Sequence, residues 1–204
     1  RFISNHSSGR QGHAIATALA KHGADVTLVS GPVNIPDPPG VETVHVETAE
    51  QMLAACQAAL PADIAVCTAA VADWRAREQV SGKIKKSPGT SIAPTLSLTE
   101  NPDILAHLSS HPQRPELVVG FAAETNDLQA NASEKLRRKG CDWIVANQVL
   151  PDETGETVFG NMQNKVLLMT GDGQEEWPMM PKTELADRLV QRIIDTIGAA
   201  HAKS

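Results

Sequence analysis

A chain of 204 residues with 41% hydrophobic and 21% charged side chains has the composition of a soluble globular domain. At that length about 70% of the unfolded surface is buried on folding, enough for a full core. The formal net charge of −6 argues against nucleic acid or a membrane surface as partner, and no apolar run reaches the ~18 residues of a membrane span. Cys56, Cys67 and Cys141 form an odd set without a C-x-x-C spacing, which excludes a disulfide framework or a Cys-rich zinc site and predicts a cytoplasmic protein; no signal peptide is visible.

Phe2-Ile3 is short and apolar, and Asn5 to Gly9 is turn chemistry. His13 to His22 reads as a helix with Ala14, Ile15, Ala18 and Leu19 on one face. Its opening, Ser7-Ser8-Gly9 with Gly12 three residues on, suits a phosphate at a helix N-terminus, or simply a helix capped by Ser7 or Ser8. Gly23 ends this helix, and Asp25 to Ser30 reads as a buried parallel strand. Val41 to Val46 is a second strand, Ala49 to Leu60 a helix with Met52, Leu53, Cys56 and Leu60 inward, and Asp63 to Thr68 a third strand. Pro88 to Glu100 is an excursion with a strand at Thr95 to Leu98. A helix follows, with Asn101 as N-cap, Pro102 at its first position and Asp103 in its first turn. Leu117 to Ala123 and Asp142 to Ala146 are core strands flanking a helix from Asn126 to Lys139 that Gly140 closes.

Phe159 to Asn164 reads as a loop, and Lys165 to Thr170 pairs with Glu175 to Met179 as a hairpin around Gly171-Asp172-Gly173. Thr183 to Ile197 is a last helix with Leu185, Leu189, Ile193 and Ile197 inward. The alternation predicts an α/β fold: a doubly wound, Rossmann-like, mostly parallel sheet with helices on both faces, functional loops at the strands' carboxyl ends. The excursion and hairpin fall outside the alternation. With Val166, Leu167, Leu168, Trp177, Met179 and Met180 they predict an exposed apolar edge, and hence a homodimer.

Several residues stand out chemically. Lys83-Ile84-Lys85-Lys86 lies among Gly, Ser and Pro, the composition of an exposed loop with solvated lysines. Thr68 to Trp74 places small residues and Asp73 after a strand, where a base and ribose can lie against backbone; Asp73 also suits a loop cap. Lys135 and Lys139 share one helix face, ordinarily a solvated one, and Phe121 passes as core. The seven histidines show no metal-ligand spacing and read mostly as surface residues.

R-F-I-S-N-H-S-S-G-R-Q-G, A-A-V-A-D-W, K-I-K-K, N-P-D-I and G-F-A-A-E-T occur in the order found in phosphopantothenoylcysteine synthetase, the ligase of coenzyme A biosynthesis, which the chain resembles over nearly its whole length. The family's first strand and Gly/Thr-rich turn precede this segment; here the chain begins at Arg1, inside the motif, as a single ligase domain over residues 1–204. The resemblance implies a CTP-dependent ligase. The 4′-phosphopantothenate carboxylate attacks the α-phosphate to give an acyl-cytidylate and pyrophosphate, and the amine of L-cysteine displaces CMP.

The resemblance assigns Asn5 and Lys83 to catalysis, and Cys67, Thr68, Ala69, Asp73, Lys83, Pro102, Asp103, Ile104, Leu105, Phe121, Lys135 and Lys139 to the nucleotide. It gives Ser7, Ser8, Gly9 and Gly12 to a phosphate loop, and Asn147 and Asn164 to the phosphopantothenate arm. It also implies magnesium with no ligands assigned, a mobile basic flap within residues 83–100, a homodimer, and FMN only in a decarboxylase half that this chain does not contain. A nicotinamide-dependent reductase on the same fold would want G-x-G-x-x-G, an acidic residue where Val29-Ser30-Gly31 stands, and a tyrosine, none of which is present. A nucleotide-binding fragment without turnover is the third reading.

Overall fold

The computed structural model describes residues 7–78, 95–124, 127–148 and 163–202. In chain order the elements are α1 (Arg10–Lys21), β1 (Thr27–Ser30), β2 (Glu42–His45), α2 (Ala49–Ala58), β3 (Ile64–Cys67), β4 (Trp74–Ala76) and β5 (Leu98–Glu100). They continue as α3 (Ile104–Ser109), β6 (Leu117–Glu124), α4 (Leu128–Lys139), β7 (Trp143–Gln148), β8 (Gln163–Thr170), β9 (Gly173–Pro181) and α5 (Lys182–His201).

The central sheet runs β3-β6-β7-β8-β9. β3, β6 and β7 are parallel; β8 and β9 add an antiparallel hairpin to the β7 edge. The buried runs in β6 and β7 follow from covering both faces. Leu117, Val119, Trp143, Val145, Val166 and Leu168 face α1 and α5, where Ile15, Ala18, Leu185, Leu189 and Ile193 close one core. Val118, Ala122, Ile144, Ala146 and Leu167 face Leu105 and Ala132 of α3 and α4. The expected three-layer α/β architecture is therefore present. β1 and β2 form a separate parallel pair, and β4 and β5 a short antiparallel arm.

Several expectations need correction. The hairpin does not leave an apolar edge: Val166, Leu167, Leu168, Trp177 and Met180 are buried, and only Met179 is exposed. α5, which follows β9 without a loop, covers Val166, Leu168, Trp177 and Met180 within the same chain, while Leu167 packs on the α3 and α4 side. Asn164 belongs to β8 instead of a loop, paired with Met180; Phe159 to Met162 lie outside the described residues. The arm's second strand starts only at Leu98, because its partner Trp74–Ala76, unforeseen as a strand, sets the register. α1 begins at Arg10, not His13. In α2 the capping box of Thr48 and Gln51 holds the start, but Met52, Leu53 and Cys56 are only half-buried.

Asn101 does not cap α3. Its amide donates to the Ala72 carbonyl at 2.8 Å, so Asp103 takes the cap, with Oδ1 accepting from Ala106 N–H at 3.1 Å. Pro102 accordingly precedes the helix.

Candidate active site

The α1 N-terminus is built by glycine rather than serine. Gly9 is the N-cap in the left-handed region at φ +69° and offers no side-chain cap; Ser7 Oγ accepts from Gly9 N–H at 3.4 Å, and Ser7 and Ser8 are exposed. A Cβ on Gly12 would stand 2.7 Å from Thr68 Oγ1. The first turn of α1 thus lies directly against the end of β3, and two stretches 56 residues apart in number (12 to 68) form one wall.

Next to that wall, Cys67 pairs in register with Gly120 on β6, one residue before Phe121. Lys135 Nζ donates to the Phe121 carbonyl at 3.0 Å, and Lys139 pairs with Asp103 Oδ2. Asp103 thereby caps α3 with one oxygen and holds Lys139 with the other. Burial pushes its carboxyl upward, but the Lys139 hydrogen bond, the Ala106 N–H and the charges of Lys139 and Arg138 outweigh it and leave the pKa below the usual range.

The Cys67 thiol is pushed up to about 12, first by burial and then by Cys56, Cys141 and Asp103, so it is a neutral wall group and no nucleophile. Ile104 and Leu105 are core side chains in the first turn of α3. Ala69 and Asp73 are exposed on the loop after β3. Asn147 stands on β7 opposite Ala123 and Val166, its Oδ1 buried without a hydrogen-bond partner. Asn164 starts from the same end of the sheet, since β8 runs antiparallel to β7. Asn5 and Lys83, with the rest of the K-I-K-K segment, lie outside the described residues.

Three features carried no sequence signal. Gln11 Nε2 donates to the Lys182 carbonyl at 3.2 Å, tying the start of α1 to the start of α5. Lys182 sits there partly desolvated near Arg10, and burial followed by the Arg10 charge holds its pKa low. His13, expected at the surface, is only 9% exposed and bonds the Gly9 carbonyl through Nδ1 at 3.0 Å. Only contacts across the fold reveal the first two. Although the chain carries −6, cations gather at the carboxyl ends of the parallel strands.

The family model of the DNA/pantothenate metabolism flavoprotein C-terminal domain matches residues 1–197. The chain belongs to this family. The chain is 44% identical over 199 residues to the coenzyme A biosynthesis bifunctional protein CoaBC of Haemophilus influenzae, covering 96% of this chain and 47% of that protein. It is 43% identical over 207 residues to CoaBC of Mycobacterium bovis, covering 95% and 48%. The chain thus spans about half the length of the curated relatives it matches. The crystal structure of a CoaBC C-terminal domain superposes with a TM-score of 0.77 at 34% identity, covering 98% of this chain and 88% of that one. A Cab2 variant solved with phosphopantothenate-cysteine shares the fold, with a TM-score of 0.71 at 17% identity over 100% and 82% of the two chains. Family membership accounts for the position of the motifs among the described residues: A-A-V-A-D-W follows β3, G-F-A-A-E forms the carboxyl half of β6, and N-P-D-I leads into α3.

Proposed function

We propose that the chain is a phosphopantothenate–cysteine ligase of coenzyme A biosynthesis that uses CTP and acts in the cytoplasm. The observation that carries this reading is the meeting of the glycine-built α1 N-terminus, Thr68, Asp103 and the lysines Lys135 and Lys139 around the ends of β3 and β6. Anionic phosphates suit free backbone N–H groups at the positive end of a helix dipole with ammonium groups beside them. CoaBC relatives and the phosphopantothenate-cysteine complex of Cab2 support the substrate class.

In this reading the phosphopantothenate carboxylate oxygen bonds to the α-phosphorus of CTP and pyrophosphate departs. The cysteine amine then bonds to the acyl carbon, CMP departs, and the amine loses a proton. Lys83 carries the charge that develops on phosphorus, and the Asn5 amide holds the acyl-phosphate end without adding charge. Ser7, Ser8, Gly9 and Gly12 cradle phosphate, while Cys67 to Ala69, Asp73, Pro102 to Leu105 and Phe121 line the nucleoside. Asn147 offers its unpaired buried oxygen to an amide N–H of the pantothenate arm.

Magnesium fits as an ion carried on the triphosphate. The described residues gather no group of three His, Cys, Asp or Glu, and Asp103 is occupied by Lys139, whereas Asp73 is an exposed carboxylate that could face it. When bound, the ion neutralises phosphate charge. The homodimer is also part of the proposal, but its support moves from the hairpin to the arm, where Trp74 (49%), Leu96 (61%) and Leu98 (41%) are exposed.

Incubation with CTP, 4′-phosphopantothenate and cysteine tests the reading. Pyrophosphate release should require phosphopantothenate, and CMP release should require cysteine as well. Absence of phosphopantothenate-dependent pyrophosphate from folded protein would refute it.

A further inference from the structure

The two segments that carry most of the proposed nucleoside contacts, the loop 68–73 and the entry into α3 at 101–105, are joined by a side chain that no motif marks. Arg75 lies in the middle of β4, on the opposite face of the arm from Trp74 and Ala76. Its guanidinium reaches in three directions. It pairs with Glu50 Oε1 of α2 at 2.7 Å, donates to the Glu100 carbonyl, and donates to Asn101 Oδ1 at 3.3 Å. Asn101 passes the connection on: its Nδ2 donates to the Ala72 carbonyl and its N–H to the Asp73 carbonyl, both at 2.8 Å. One guanidinium, through one amide, therefore clamps the loop after β3 onto the loop before α3. It also ties both to α2 across a cleft of about 380 Å³ whose walls include Leu53, Gln57 and Pro102.

This pattern is poorly suited to a purely stabilising role. The Arg75 and Glu50 side chains are 33% and 56% exposed, and ion pairs that open add little to stability. It is well suited to holding geometry. A planar guanidinium donates to several fixed acceptors at once, which a single ammonium cannot reproduce. We propose that Arg75 is a positioning residue for the nucleotide. It sets the separation of the 68–73 loop and the 101–105 entry into α3, so that their backbone meets base and ribose without reordering on binding. The inference rests on the CTP-dependent ligase reading.

The test compares wild type with Arg75→Ala, Arg75→Lys and Asn101→Ala. It measures KM for CTP and for 4′-phosphopantothenate, kcat, the calorimetric Kd for CTP, and Tm. Arg75→Ala should raise KM and Kd for CTP at least tenfold, with kcat falling less than threefold and KM for phosphopantothenate within twofold. Asn101→Ala should reproduce that selective shift. Arg75→Lys keeps the stem and the Glu50 pair but loses the fork, and should raise KM for CTP three- to tenfold; it also serves if Arg75→Ala does not fold. Equal rises in both KM values, or a lowered Tm with KM for CTP within twofold of wild type, would overturn the inference while leaving the ligase reading intact. Wild-type protein that releases no pyrophosphate from CTP removes that reading and the inference together.

Discussion

Replacing Asp103 separates the two jobs its carboxylate performs. Asp103→Asn keeps an oxygen for the Ala106 N–H, and Asn caps as well as Asp, so the α3 cap survives. What goes is the charge facing Lys139 and the α3 dipole. The pair is partly screened, with side chains 15% exposed for Lys139 and 40% for Asp103, so its loss costs about 0.5–1 kcal/mol, with a few tenths more from the dipole. Asp103→Ala also removes the cap, another ~1 kcal/mol. At ~2–4 °C per kcal/mol for a domain of this size, Tm should fall by about 3 °C for Asn and about 6 °C for Ala at pH 7. The pH dependence has a definite sign. The folded carboxyl titrates below its unfolded value of about 3.9, so its contribution is complete above that pH and disappears as pH falls through the folded pKa. Wild type should lose its advantage over Asp103→Asn progressively as pH falls below about 4 and through the lowered folded pKa. Thermal melts of the three proteins across that range provide the assay. Equal Tm values for Asn and Ala at pH 7, or a wild-type advantage over Asn that does not shrink as pH falls below about 4, would refute the assignment of two separate roles.

Lys83→Ala should slow acyl-cytidylate formation by roughly a hundredfold or more, the scale of losing a transition-state electrostatic partner, with Tm nearly unchanged; wild-type pyrophosphate release would exclude the role. Gly12→Ala sets a methyl against Thr68 Oγ1 and should cost about 1–3 kcal/mol. Thr68→Ala should recover part of that loss, with a coupling of ~0.5 kcal/mol or more in a urea-denaturation double-mutant cycle. With its pKa pushed up to about 12, Cys67 should resist iodoacetamide at pH 8 in the folded protein and be labelled only after unfolding, as read by peptide mass spectrometry. Leu98→Asp, on the exposed face of the arm, should convert the proposed dimer to a monomer by light scattering at micromolar concentration, and an unchanged mass would count against the arm as interface.

The sequence by itself determined the layers of this protein. Val118, Val119, Ile144 and Val145 lie in apolar runs because both faces of a parallel strand are buried, and Leu185, Leu189 and Ile193 recur at helical spacing because one stripe of α5 meets the sheet. The order of strands and helices then puts A-A-V-A-D-W and G-F-A-A-E at carboxyl ends, where a doubly wound sheet opens. Tertiary structure alone decided where the polar groups and the odd strands go. Trp177 and Met180 read as an exposed edge until α5 folds back over the hairpin. Asn101 has better local capping chemistry than its neighbours suggest it needs, yet Ala72 and Arg75 claim its amide, and the cap passes to Asp103. Lys182 meets Gln11 across 171 residues. Periodicity records which side of an element is buried, because that depends on the repeat of the element itself. The partner of a hydrogen-bonding group depends on which distant atoms compete for it, and those atoms arrive only when the chain closes.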